Sequence, residues 1–462
     1  MTGGLSQRIC ETVAGFDPAD LPDTALAAAK RVLLDAVGVM LGASGTCEEP
    51  RAFSRLARAA GEGPCALLGS GRTATAPFAA LANGALAHAL DYEDAFDKVP
   101  GHPNASLVPA LIALAQSERT SGGPIDGRRF LTALALGGDF ACRMALALRR
   151  PMEAGNWYPP PMLGGFGAAL GTAKLLGLDA GRTRDALSLM LCQTVMPGEI
   201  KYSKSTVIRA VREAFPAQAA VTSALLARER VAGFEEPLEG RAGFYALYAG
   251  GEFDPVDLLD GLGEHFWIEH LTFKAWPSCR GTHPFIEMAL SLRETHGIEP
   301  ENIATITVTI DDVQRMLVEP LARKAAPQTL IDAKFSIPFC TALALVRGTV
   351  DLDSFTRGAM HDPRILAVAA RVLVAEAPPG NGWQRGSGGG LTIWRDDGTE
   401  HRAEIASALG CPERPLSEAQ LVAKFVDCAG RAEVPLGTAQ AHDLASKILS
   451  LEGCADVGAL FA

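Results

Sequence analysis

A chain of 462 residues, 48% hydrophobic and 21% charged, can bury a large core and should divide into two or three domains. Its formal net charge of −11 argues against a nucleic-acid partner, but not against a small anionic substrate, because clustered arginines and lysines can outweigh a diffuse negative surface. No apolar run is long enough to cross a bilayer, and the first residues, Met-Thr-Gly-Gly-Leu-Ser-Gln-Arg, do not read as a signal peptide, so a cytoplasmic protein with no membrane partner is expected. The ten cysteines form neither a Cys-x-x-Cys pair nor a zinc spacing; buried free thiols and no metal are expected.

Residues 22–41 predict a helix. Asp23 can cap it, Leu26, Ala29, Val32, Leu33, Ala36 and Met40 recur at three- and four-residue spacing, and Gly42 should end it. Residues 52–60 and 75–90 predict two more. The connection 91–109 then crowds Asp91, Glu93, Asp94, Asp97, Lys98 and His102 between apolar helices, interrupted by Pro100, Gly101 and Pro103. Ionisable groups in such a connection are costly unless used, and connections are where binding and catalytic groups concentrate. A helix over 104–118 follows, capped by Asn104 or Ser106, with its first N–H groups forming an anion site beside His102. Residues 128–148 predict a long apolar helix.

Residues 155–167 should be loop, because Pro159-Pro160-Pro161 and four glycines fall there. Helices are expected over 168–176, 184–195 and 206–230, the last with Arg209 and Arg212 on one face. Near Phe266 the character changes. Residues 303–310 alternate apolar residues with threonine, a strand signal, and 371–375 and 391–394 predict further strands. Helices are expected over 282–295 and 332–346. The run 378–390 is rich in glycine and proline; Gly386-Ser-Gly-Gly-Gly-Leu lacks the strand–loop–helix setting of a phosphate loop and reads as a flexible hairpin. From 417 onward the pattern is helical again. The fold class expected is mainly α with a smaller α/β domain: a helical domain over 1–266, an α/β lid over 267–400, and C-terminal helices over 401–462 returning to the helical domain.

Five stretches carry a resemblance: His88-Ala-Leu-Asp-Tyr-Glu-Asp with Gly101-His-Pro-Asn-Ala, Phe166-Gly-Ala-Ala with Leu175-Leu-Gly-Leu-Asp, Leu238-Glu-Gly with Gly243-Phe, Lys274-Ala-Trp-Pro-Ser-Cys-Arg-Gly-Thr-His, and Ala333-Lys-Phe-Ser-Ile-Pro-Phe. In this order they resemble the MmgE/PrpD family, which includes 2-methylcitrate dehydratase, cis-aconitate decarboxylase and iminodisuccinate epimerase. The resemblance implies an all-helical domain with an α/β lid, a homodimer, no metal or cofactor, and chemistry that begins with proton removal beside a carboxylate. Asp91, His102 and Lys274 fall on family site positions. Tyr158 stands where the family has histidine, Arg209 where it has lysine, Ala95 where it has threonine and Met316 where it has tyrosine. These departures imply a divergent member whose substrate is neither cis-aconitate nor 2-methylcitrate.

A proton α to a carboxylate is weakly acidic, so its removal needs a base near neutral pKa and cations to hold the enediolate charge. His102 fits the base, with an ordinary pKa of about 6.5, oriented by Asp91 or Asp94; the alternative is a histidine that only caps the next helix. Asp91 reads as functional, whereas for Glu93, Asp94 and Asp97 a solvated reading stands at least level with a functional one. Lys274 is either a second base, its pKa lowered by desolvation, or a carboxylate clamp. The guanidinium forks of Arg209, Arg212 and Arg280 suit carboxylates. Tyr158, Asn104 and Cys279 complete the expected substrate contacts; Cys279 lacks the partners of a nucleophile, and His283 reads as structural. The activities expected are a dehydratase- or decarboxylase-like lyase on a small di- or tricarboxylate, an epimerase of an amino- or imino-diacid using two opposed bases, or a non-catalytic carboxylate binder on the same fold.

Overall fold

The computed structural model describes residues 4–99, 101–203 and 206–461; Pro100 and the first three residues, which entered the expectations above, lie outside them. Small side chains let helices approach closely, and the first half of the chain uses this throughout. The Asp23–Thr46 helix runs through the helical body with Val32, Leu33, Val37 and Met40 fully buried. It passes through Gly42 instead of stopping there, and Pro22 rather than Asp23 is its N-cap. Against it pack the helices Ala76–Ala87, Leu107–Ser121 and Gly127–Leu146, and Pro159–Leu175 and Ala214–Arg228 pack on those in turn. The Glu418–Gly430 helix returns along the Asp23–Thr46 helix and adds Leu421 and Phe425 to the same core. Each large side chain buried this way contributes roughly 1.5–3 kcal/mol.

Two local expectations change. Residues 159–167 are helix, not loop, because the three prolines occupy the first turn of Pro159–Leu175, where their missing N–H groups have no intrahelical partner to lose. The glycines behind them allow backbone contact: a Cβ on Gly167 would lie 2.5 Å from Gly137 O of the Gly127–Leu146 helix. The long helix expected over 206–230 is instead Ile208–Val211 and Ala214–Arg228, with Arg212 and Glu213 at the break. Gly84 explains where that break sits. A Cβ there would come within 2.7 Å of Glu213 O, so the glycine lets the break press against the end of the Ala76–Ala87 helix.

The short strands β1 (Cys65–Leu67) and β2 (Arg72–Ala74) form a hairpin. The larger sheet contains β3 (Ile303–Ile310), β4 (Val372–Glu376), β5 (Gly389–Arg395) and β6 (Glu400–Ile405) in the order β4-β3-β5-β6. Alternation in β3 buries Ile306, Val308 and Ile310 beneath the His283–His296 and Ile337–Arg347 helices, which share a second core. β4 runs parallel to β3 on one side and β5 antiparallel on the other, so the 378–390 run crosses between them and is not a hairpin. The helix expected over 332–346 divides into Leu330–Lys334 and Ile337–Arg347, the second capped by Ser336, whose Oγ accepts from Phe339 N at 3.0 Å. All ten cysteines are free, but Cys192 is exposed and Cys47, Cys279 and Cys454 are half-buried. Among the described residues no helix is long and apolar enough to cross a membrane.

Candidate active site

The Ala76–Ala87 helix ends on His88, and the chain then turns through Asp91 at φ 52°. That left-handed conformation is uncommon outside glycine and is best tolerated by aspartate and asparagine. The turn sends the following residues inward. Ala95 N donates to Thr272 O at 2.9 Å and Thr272 N to Ala95 O at 2.8 Å, tying the loop to the segment that carries Lys274. Lys274 is fully buried, and its Nζ donates to Asp91 Oδ1 at 2.5 Å and Asp91 O at 2.9 Å.

Glu93 is the hub of the cluster. Its Oε1 receives the Nδ1 of both His88 and His102, the latter at 3.0 Å. His102 Nδ1 also faces Asp94 O at 3.0 Å. Two acceptors at Nδ1 place a proton there, so in the neutral ring Nε2 carries the lone pair. His88 is neutral for a related reason: its Nε2 meets Arg212 Nη1, which can only donate. Burial, with Arg212 beside it, draws His88 down to about 3, against the pull of Glu93. Burial pushes Asp91 up, but Lys274 and then His88 more than reverse this, leaving it at about 2. Glu93 is likewise held well below the ordinary range: burial raises it, and His88, Lys274 and His102 overcome that. For Lys274 burial favours the neutral amine, yet Asp91 and Glu93 raise its pKa. The lysine is therefore a fixed ammonium, and the expectation of a base-like Lys274 is corrected.

Arg212 crosses from the helix break to this cluster. Its Nε donates to the buried Glu213 Oε1 at 3.0 Å, and Glu213 Oε2 accepts from Ser106 Oγ at 2.5 Å. Tyr158, at the cap of the Pro159–Leu175 helix, lies 5.2 Å beneath the Arg212 guanidinium and 5.9 Å from that of Arg209. Arg209 stacks on Phe335 at 3.6 Å. Arg212 Nη2 and Arg209 Nε are buried donors with no acceptor among the described residues, and Asp91 Oδ2 and Glu93 Oε2 are buried acceptors with no donor. Unpaired buried groups in such number mark a place where something else binds.

Other expected site residues are elsewhere engaged. Arg280 spends its guanidinium on Asp97 Oδ2 (2.9 Å), Leu409 O (2.8 Å) and Ala408 O (2.8 Å), so it staples the fold instead of clamping substrate. Asn104 is fully buried and its Nδ2 donates to Asp94 Oδ2 at 2.9 Å. The helix it was expected to cap begins at Leu107 with Ser106, the second of the two expected caps, at its N-cap position. Cys279 donates its N–H to Lys334 O at 3.0 Å, and burial pushes its thiol up. His283 is buried with its Nε2 against Ser278 O at 3.2 Å. Met316 lies on an exposed turn, and Ala95 is buried in the bridge to Thr272.

The solvated reading of Glu93, Asp94 and Asp97 is overturned: Glu93 and Asp94 are buried, Asp97 is half-buried with its side chain covered, and all three have partners. His88, Glu93 and Glu213 belong to the site and were missed. His88 and Glu93 stand in the same stretch as Asp91, and a histidine ending an apolar helix three residues before that aspartate was the available signal.

Two openings reach this region. His102 lines a crevice of about 230 Å³ with Phe96, Cys142, Pro160 and Leu163. A second, of about 290 Å³, lies between the helical body and the α/β part, lined by Lys201, Arg209, Arg323 and Asp332. His88, Asp91, Glu93 and His102 bring ligand atoms within 4.8 Å of one another, a composition that can hold a divalent metal. The fit is poor. Lys274 holds Asp91 Oδ1, Glu93 Oε1 is shared by two ring nitrogens, and Arg212 stands behind His88, so a cation would displace these bonds and face two fixed positive charges.

The MmgE/PrpD N-terminal domain matches residues 7–256, and the MmgE/PrpD C-terminal domain matches residues 276–443. A cis-aconitate decarboxylase-like protein, oryM, of Aspergillus oryzae is 24% identical over 474 residues, covering 100% of this chain and 97% of its own. Cis-aconitate decarboxylase of Mus musculus is 24% identical over 440 residues, covering 92% and 86%. The Aspergillus terreus enzyme of the same name is 22% identical over 478 residues, covering 99% and 95%.

Proposed function

The chain belongs to the MmgE/PrpD family, and on that footing we propose that it is a cofactor-independent lyase acting on a small di- or tricarboxylate. The observation that carries this is a histidine with one nitrogen spent and one open, set near two buried arginines with unspent donors. His102 Nε2 takes the proton α to a carboxylate, and Glu93 stabilises the imidazolium that forms. Arg212 and Arg209 hold carboxylate oxygens, and the Lys274 ammonium adds positive potential where the enediolate charge grows. With a hydroxyl β to the carbanion, the electron pair expels it as an alkene forms, and the departing oxygen takes the proton from the His102 imidazolium and leaves as water. In the decarboxylating direction His102 enters as the imidazolium: the electrons of the breaking C–C bond stay on carbon, carbon dioxide leaves, and Nε2–H gives its proton to that carbon. The decarboxylase names of the relatives above support this class.

Epimerisation would need a second base on the opposite face. Lys274 is a fixed ammonium and Cys279 is pushed up by burial, so the lyase outcome is favoured. We also propose a homodimer, supported by exposed apolar side chains concentrated in one stretch of the helical body, including Val195, Tyr202, Ile208, Phe215 and Phe234. Light scattering should give twice the chain mass, and a monomer at micromolar concentration would remove that proposal.

The function is tested by incubating the protein with a panel of di- and tricarboxylates, cis-aconitate included, in heavy water and following proton NMR. Loss of water or carbon dioxide from one of them is expected. Tight binding without any turnover or exchange would leave only a carboxylate-binding protein.

A further inference from the structure

Lys334 ends the Leu330–Lys334 helix of the α/β part with its side chain turned inward. Its Nζ donates to Leu90 O at 2.6 Å. The next two carbonyls are held in the same way: Lys274 donates to Asp91 O at 2.9 Å, and Lys424, on the Glu418–Gly430 helix, donates to Tyr92 O at 2.7 Å. Three successive carbonyls around the left-handed Asp91 thus each receive a buried ammonium, and each ammonium comes from a different part of the chain. Lys274 and Lys424 have carboxylate partners, Asp91 at 2.5 Å and Asp35 at 2.6 Å. Lys334 has no carboxylate within ion-pair reach among the described residues; Leu90 O is its acceptor.

A buried ammonium with one neutral acceptor is expensive. Two features offset the cost. The first is electrostatic: Asp91 and Glu49 supply negative charge from farther off. The second is mechanical: the backbone O of Lys334 accepts from Cys279 N at 3.0 Å, so the residue is tied to the loop before Asp91 through its side chain and to the Lys274 segment through its backbone.

We propose that Lys334 is a positioning residue: an ammonium supplied by the α/β part that clamps the Leu90 carbonyl, fixes the Asp91 turn, and so orders Glu93 and His102 only when the α/β part is seated on the helical body. Its catalytic consequence rests on the lyase reading; the ordering of the loop does not. Burial lowers the pKa of Lys334; Cys47, Asp91 and Glu49 oppose this and Lys274 adds to it. Removing its charge should leave the carboxylates with a surplus and raise their proton affinity.

The test compares Lys334→Met, Lys334→Gln and Lys334→Arg in the full chain, using the substrate found in the panel above. For Lys334→Met, kcat should fall roughly ten- to a hundredfold with KM changed by less than about threefold. The acid limb of the pH–rate profile should move to higher pH, and Lys334→Arg should move it back. If Lys334→Met does not fold, Lys334→Gln should show the same acid-limb shift. An unchanged kcat and acid limb in the folded variants, or a rise in KM alone, would overturn the proposal. If the wild type turns over no acid, the lyase reading fails on its own, and amide hydrogen exchange then judges the clamp. Lys334→Gln should exchange faster at residues 91–96 than the wild type, and equal protection there would overturn it.

Discussion

The loop from His88 to Asn104 and the segment from Thr272 to His283 carry similar side chains: histidine, a basic residue, and polar groups next to proline. Their bonding separates them. In the first, His102 keeps Nε2 open, and Asp91 and Glu93 each keep an unpaired oxygen. In the second, Arg280 makes hydrogen bonds through all three of its nitrogens, and His283 is enclosed between Ser278 O and Arg280. Lys274 lies between the two cases, a cation bound to Asp91 that still contributes its field to the cluster. Residue type and motif membership are alike in the two stretches. The count of unspent donors and acceptors is what marks one as a place for chemistry and the other as a fastening.

Exchanging the damage between the two stretches sharpens this contrast. His102→Ala should lower turnover by about a hundred- to ten-thousandfold, the range for a general base, with an unfolding midpoint close to wild type. Arg280→Met should do the reverse. It leaves Asp97 buried without its cation, a loss of about 3–5 kcal/mol, while kcat of the folded fraction stays within about threefold. If Arg280→Met abolishes turnover without loss of stability, the division between the two stretches is wrong.

The smallest effect concerns Asp94. Burial raises its carboxyl to about 7, with Asp35 and Glu93 adding to the shift and Asn104 opposing it. For an acid whose folded pKa is raised, the stability contribution is complete below the unfolded value of about 3.9 and is lost as pH rises to about 7. Asp94→Asn keeps an oxygen for Asn104 and removes the titration. Its unfolding midpoint should therefore gain on the wild type between pH 4 and pH 7, then hold a constant lead. An equal gap at pH 5 and pH 8 would mean that Asp94 does not titrate in that window.

Much of the helical body and the β3 strand was legible because burial repeats at the period of the element. Residues 303–310 alternate by twos and form β3 over those same residues. β6 escaped notice because its side chains are all exposed or half-buried, leaving no apolar rhythm to read. The break at Arg212-Glu213 was hidden for another reason. It depends on Gly84, more than a hundred positions earlier, and helical propensity along 206–230 carries no trace of that contact. In the site, Asp91, His102 and Lys274 stand in short, recognisable stretches, and the structure brings all three into one network. The acid–base state of Lys274 could not be read, because it is set by two carboxylates some 180 positions away in the chain that only folding brings alongside.

The central claim is that His102 Nε2 moves a proton at carbon, and hydrogen exchange at that carbon tests it most directly. The substrate found in the panel is held in heavy water with wild type and with His102→Ala at equal folded concentration, and deuterium at the α position is followed by proton NMR. Rapid incorporation with the wild type and none above the uncatalysed rate with His102→Ala is the expected result. Undiminished incorporation with His102→Ala would contradict it and move the base to another residue.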